Sequence, residues 1–217
     1  MTLAEMPDAL KNWWSGVSWF ELLGVPSNLA CVWLFGRESI WSWPVGIVGI
    51  LLFMVMFYDA RLYSDVVLQF VFLILSIIGW YEWLRGGPRR GARRIERGVS
   101  AASFPVFFLI AGSVMGGAGY YFATYTDAAL PYWDSSILGL SLVAQWLLNR
   151  KAIESWLFWI AVDVLAVGVY AYRGLYLTSV LYFIFLVLAT RGFLQWRKKL
   201  MKTREAPVAE TSQVSAA

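Results

Sequence analysis

The sequence predicts an all-α integral membrane protein: seven transmembrane helices, arranged as two parallel three-helix repeats joined by a linking helix. Three observations predict it. Hydrophobic residues make up 59% of the chain and the mean hydropathy is +0.60, above the usage of a water-soluble domain. Apolar runs of about fifteen to twenty residues recur from Trp19 to Trp196, the length a helix needs to cross a layer roughly 30 Å thick. Barrel strands would alternate in polarity over about ten residues, and these runs do not. The chain also repeats itself: shifted by 113 residues, 29–83 lies over 142–196 without a gap, with 19 of 55 positions identical.

The spans fall at 18–36, 41–58, 63–84, 103–123, 136–149, 154–172 and 175–196. Residues 1–17 read as a short interfacial segment, with no basic leader ahead of an apolar core and so no cleaved signal peptide. Pro26 interrupts the first span and strips a donor from the carbonyl one turn earlier; it is either a hinge or a fixed kink, with Asn28 placed to satisfy the freed backbone. Pro44 stands near the start of the second, where proline is tolerated, and Gly46 and Gly49 allow close backbone approach. Trp83 and Trp196, each near the end of a span, fit an interfacial aromatic belt. The fourth span carries Gly112, Gly116, Gly117 and Gly119 at the spacing of close helix packing. Residues 85–133 comprise a basic loop and this linking helix, 134–197 the second repeat, and 198–217 a tail expected to be disordered.

Charge orients the spans. Six arginines between Arg85 and Arg97, then Arg150, Lys151 and the segment WRKKLMKTR, fall on one side together with Arg37, leaving Lys11, Arg61 and Arg173 on the other. Basic loops stay inside, which puts the N-terminus outside and the C-terminus in the cytoplasm. The net charge of +4 is accounted for by these loops and calls for no nucleic acid.

Each copy is three helices, and an offset of four spans preserves direction. The copies are therefore parallel, related by an axis along the membrane normal. Such repeats occur in secondary transporters, with the substrate near the midplane between copies. The matched positions include Trp33/Trp146, Arg37/Arg150, Trp43/Trp156, Gly79/Gly192 and Trp83/Trp196.

The chemistry available is narrow. There is no histidine, which removes the usual general base and metal ligand, and the single Cys31 reads as a small apolar residue. No cofactor is called for. In the sixth span, at about 100° per residue, Trp156, Trp159 and Asp163 share one face. Asp163 lies about 13 Å from the helix start, where a carboxylate costs about 2.5–3.5 kcal/mol unless it faces protein or water. An acid beside indole faces suits a flat cation, or the vicinal hydroxyls of a sugar. Gln69, its repeat mate Tyr182, and Gln145 all lie on repeated helices and supply hydrogen-bonding groups; Trp80 divides between belt and substrate contact.

With SWPVGI, LQFVFLILSIIGWYEW, RKAIESWLFWIAVD and GLYLTSVLYFIFLVLATRGFLQW in spans two, three, six and seven, residues 20–197 resemble the PnuC family of bacterial vitamin transporters. The resemblance implies a SWEET-like fold of triple-helix repeats assembled as homotrimers, with Trp156, Trp159 and Asp163 at the span-six ligand signature. It carries over also to Gln69, Gln145 and Tyr182. Two departures make the halves unequal: Phe193 stands where the first copy has Trp80, and Ile50 where the second has Asp163. The function this implies is facilitated diffusion of nicotinamide riboside across the inner membrane, with trapping by a separate kinase. The alternatives are a carrier of another vitamin such as thiamine, or a receptor or assembly subunit that moves nothing. An enzyme would need a carboxyl partner that Asp163 lacks.

Overall fold

The computed structural model describes residues 19–59, 63–85, 103–126, 130–174 and 176–214. The N-terminal interfacial segment and most of the basic loop lie outside these. The described residues form seven helices: α1 (Trp19–Gly36), α2 (Ser42–Asp59), α3 (Tyr63–Arg85), α4 (Phe104–Tyr125), α5 (Pro131–Asn149), α6 (Ser155–Tyr172) and α7 (Tyr176–Val214). By length and composition, stretches of α3, α4, α6 and α7 suffice to cross a membrane, while Leu23–Gly36 and Ser42–Met56 are shorter apolar helices. α5 is polar for a physical reason. It is wrapped by α3, α4 and α6, so Ser135, Ser141, Gln145 and Asn149 along it are buried in protein. The helix starts at Pro131 rather than 136, since a proline in the first turn forfeits no hydrogen bond.

The repeat is visible in the packing. α3, the third helix of the first copy, packs on α5, the first of the second copy; α7 packs on α1 in the same way. The hydrogen bonds at these contacts match. Trp83 donates its indole N–H to the carbonyls of Leu148 (3.3 Å) and Asn149 (3.0 Å), and Trp196 donates to that of Phe35 (3.1 Å). Phe35 and Leu148 are themselves repeat mates, each in the last turn of its helix. Both helices end in the same two-bond cap: Ser39 N–H to Leu34 with Glu38 N–H to Phe35, and Ala152 N–H to Leu147 with Lys151 N–H to Leu148. The cap needs a left-handed residue, and Glu38 (φ 59°) and Lys151 (φ 55°) supply it. The Phe35 and Leu148 carbonyls thus each accept two donors, one from their own cap and one from the other copy.

Trp83 and Trp196 are therefore not belt residues. They are 4% and 0% exposed, and turn inward because the free carbonyls of a neighbouring helix end lie there. Phe35, Trp43 and Trp83 meet edge to face at 4.8–5.7 Å, Trp156 meets Trp196 at 5.6 Å, and Trp83 lies 6.4 Å from Trp196, so the aromatic core bridges the copies. Glycine opposite tryptophan also recurs: Gly79 lies against the Trp43 ring and Gly192 against the Trp156 ring. At the rim of this end, Arg37 covers Trp33 and Arg150 covers Trp146, both at 3.9 Å. Lys199 bridges to Glu38 at 2.6 Å. At the opposite end, Arg173 after α6 holds Asp134 of α5 at 2.6 Å.

Other expectations divide. Gly46 admits the Cys31 sulfur and Gly49 the Asn28 amide, so both glycines serve close approach, and Cys31 is buried. Asn28 thus lies against α2, and α1 continues through Pro26. On α4 only Gly119 meets a neighbour, Tyr132, whereas Gly112, Gly116 and Gly117 have nothing within 4 Å of an added Cβ. Their stripe faces away from α5, and among the described residues nothing packs on it. The last helix runs to Val214, past residue 198 where a tail expected to be disordered begins; helix-forming residues carry the span on from 197 to 206, ahead of Pro207.

Candidate functional site

α6 sets the site. Its opening Ser-Trp-Leu-Phe-Trp places Trp156 at the second position, Trp159 about one turn in and Asp163 a turn beyond. The three do not share one environment. Trp156 is 1% exposed, its ring wedged between Gly192 and Trp196, and belongs to the core. Its indole nitrogen is buried without a hydrogen-bond partner among the described residues, as is that of its repeat mate Trp43. Trp159 is half-buried and touches both hydrophobic clusters, the aromatic one between the copies and the one formed by α4, α5 and α6. Asp163 is buried, 5% exposed.

Asp163 has company that its own helix and α7 provide. Tyr170, seven residues on, returns to nearly the same face of α6. Its ring stacks on Tyr182 of α7 at 5.1 Å and 16°. The Asp163 carboxylate is near enough to act on Tyr182 electrostatically. The result is an acid and two phenols gathered in an otherwise apolar wall, with Phe185 closing on Tyr182 at 5.9 Å. The same seven-residue spacing from Asp163 would have pointed to Tyr170 in the sequence.

On the α5 side, Gln145 lies one turn above the helix end, at about the depth of Trp159. It is 7% exposed and bonds to Asn149, a residue that sequence reasoning passed over because it ends a helix next to Arg150. Trp80 is half-buried and rests on the aromatic cluster, beside the ring partners of Trp43 and Trp156. Gln69 is half-buried on α3, and no described contact joins it to the others. α6 and α7 thus gather Asp163, Tyr170 and Tyr182, with Trp159 one turn before Asp163 on the same helix; Gln145 lies on the neighbouring α5, its described hydrogen bond going to Asn149, and Trp156 and Trp80 pack in the aromatic cluster. Such a wall can hold an aromatic ring, offset a positive charge and accept hydrogen bonds.

Comparison with known proteins agrees with this architecture. Residues 18–198 match the family described as nicotinamide mononucleotide transporter. The nicotinamide riboside transporter PnuC of Escherichia coli (strain K12) is 31% identical over 204 residues, spanning 83% of this chain and 85% of that protein. The riboflavin/roseoflavin transporter RibM of Streptomyces davaonensis is 27% identical over 189 residues, with coverage of 83% and 85%. Among solved structures, the crystal structure of the vitamin B3 transporter PnuC superimposes with a TM-score of 0.69 at 18% identity, over 89% of this chain and 87% of that one, and establishes the fold. With its repeated helical triplets and the buried acid of the second, the chain belongs to the nicotinamide mononucleotide transporter family of membrane proteins.

Proposed function

We propose that this protein carries nicotinamide riboside by facilitated diffusion across the bacterial inner membrane, as a precursor for NAD. One observation carries the reading: a carboxylate buried at mid-helix, 5% exposed, flanked by a half-buried indole and a stacked pair of phenols. The pyridinium of the riboside is flat and permanently cationic. It meets an aromatic face and a counter-charge together. The riboside fits this set better than its phosphate, whose anionic group would be set against Asp163. It also fits better than neutral riboflavin, which would leave the acid unpaired. A monovalent cation gains about 2.3 kcal/mol per 100 mV on moving inward, enough to drive entry without a coupled ion.

Two finer features belong to the same proposal. The C-terminus is cytoplasmic and the N-terminus outside, supported by the gathering of Arg37, Arg150, Lys151 and Lys199 at the clasped end. The working unit is a homotrimer, supported by the outward stripe of Gly112, Gly116 and Gly117 on α4. The repeats take residues 18–84 and 134–197, and 85–133 link them.

The test is uptake of labelled nicotinamide riboside into vesicles under an inside-negative potential, for the parent, Trp159→Ala and Asp163→Asn. Loss of uptake in both variants, with poor competition by thiamine, riboflavin and the mononucleotide, is expected. Normal uptake by both variants, or stronger competition by thiamine, would overturn the site or the substrate respectively.

A further inference from the structure

Among the described residues Asn149 has no hydrogen bond to the acid or the phenols, yet its hydrogen bonds fix the polarity of Gln145, which the proposed function places at the substrate site. The carbonyl of Leu75, on α3 of the first copy, can only accept. Asn149 Nδ2 donates to it at 3.0 Å. The orientation of this amide is therefore set, and its Oδ1 is left facing its own helix, where it can only accept. Gln145 Nε2 donates to that Oδ1 at 3.2 Å. The second amide is set in turn, with Oε1 directed away from Asn149.

Both side chains are more than nine-tenths buried, at 7% and 5% exposed, so neither trades these bonds for water. Turning either amide over would bring oxygen against oxygen at one junction or the other. The space for the relay is made by Gly79, where a Cβ would stand 2.5 Å from Asn149 Oδ1. Among the described residues, Gln145 Oε1 takes up no hydrogen bond.

We propose that Asn149 is a positioning residue for substrate selection. By holding Gln145 Nε2, it leaves Oε1 as the atom Gln145 presents. Beside the Asp163 carboxylate, this supplies a second fixed acceptor to a wall whose donors are the Tyr170 and Tyr182 hydroxyls. The site then selects a substrate that donates at this position, a hydroxyl or a carboxamide NH2. It rejects an analogue with a carboxylate there. The inference rests on Gln145 lining the substrate site, as read above.

Nicotinamide riboside and nicotinic acid riboside differ only in carboxamide against carboxylate, and their affinities are measured by competition against labelled riboside on the purified protein. The parent prefers the amide. In Asn149→Ala, the freed Gln145 amide turns to offer either end, and the preference falls at least tenfold. Asn149→Leu fills the same volume without a polar atom and gives the same result if the alanine variant does not fold. Asn149→Asp still accepts from Gln145 Nε2, so it keeps the preference or raises it even where it melts earlier. A purely structural role for Asn149 predicts the reverse, with both ligands weakened in proportion in every variant.

Gln145→Ala separates the two levels of the argument. If it weakens riboside binding while Asn149→Ala and Asn149→Leu keep the parent's preference, the positioning role is wrong and the site stands. If Gln145→Ala changes neither affinity, Gln145 is not at the site and the positioning role falls with it, while the Asp163 reading is judged by its own uptake test.

Discussion

Replacing Gly192 with alanine tests the wedge that holds Trp156. A Cβ built at Gly192 stands 2.6 Å from Cη2 of Trp156 and 2.7 Å from Cζ2 and Cζ3. Carbon atoms at rest lie about 3.5–4.0 Å apart, so the ring must retreat by roughly 0.8 Å or more. It has nowhere easy to go. Trp156 is 1% exposed, and Trp196 behind it is 0% exposed and anchored to the Phe35 carbonyl at 3.1 Å. Overpacking of this kind costs about 1–3 kcal/mol. In a chain of this size, where 1 kcal/mol moves the midpoint by about 2–4 °C, Gly192→Ala should melt about 2–12 °C below the parent. The control is the same substitution on α6: Gly168 has nothing within 4 Å of an added Cβ, and Gly168→Ala should not lower the midpoint. Tryptophan fluorescence during heating of the detergent-purified protein gives both numbers. Equal midpoints for Gly192→Ala and the parent would refute the wedge.

Three further outcomes follow from the same structure. Trp196→Phe keeps the ring but leaves the Phe35 carbonyl one donor short, and should cost about 1–3 kcal/mol of stability, read in the same melt. Glu38→Gly removes the cost of a left-handed non-glycine residue, about 1–2 kcal/mol, against the loss of a bridge to a half-exposed lysine that contributes about 0–1 kcal/mol. Its midpoint should hold or rise, and a clear fall would refute the strain. Asp163→Asn should oppose function to stability: riboside affinity falls about tenfold or more in a ligand titration, while the ligand-free protein melts no lower, because a buried charge has been removed.

Much of this was legible in the sequence because the repeat carries physical relations as well as identities. The 113-residue shift lays Trp33–Arg37 over Trp146–Arg150, and each pair closes into the same 3.9 Å stack. It lays Gly79 over Gly192, and each glycine receives a tryptophan from the preceding helix of its own copy. Helix spacing also put Trp159 and Asp163 on one face of the sixth span. What was misread depends on partners far along the chain. A tryptophan near the end of an apolar run looks alike whether its N–H meets a headgroup or a carbonyl 65 or 161 residues away. Spacing gave the angle of Trp156 around its helix, and the structure adds that Gly192 and Trp196 pack against its ring, which an angle does not say. The α4 glycines announced a flat face without saying whose. Asn149 was passed over since its acceptor, Leu75, is on another helix of the other copy.

The exchanged tryptophans have a consequence for how the protein is made. Neither triplet can complete its own closed end: the first leaves the Trp83 indole without an acceptor, and the second leaves Trp196 in the same condition. A ribosome that has delivered only α1 to α3 has therefore built an unfinished object, in which a buried donor must wait for α5 to arrive. Co-produced halves severed in the basic loop should find each other in the bilayer, and either half produced alone should be degraded.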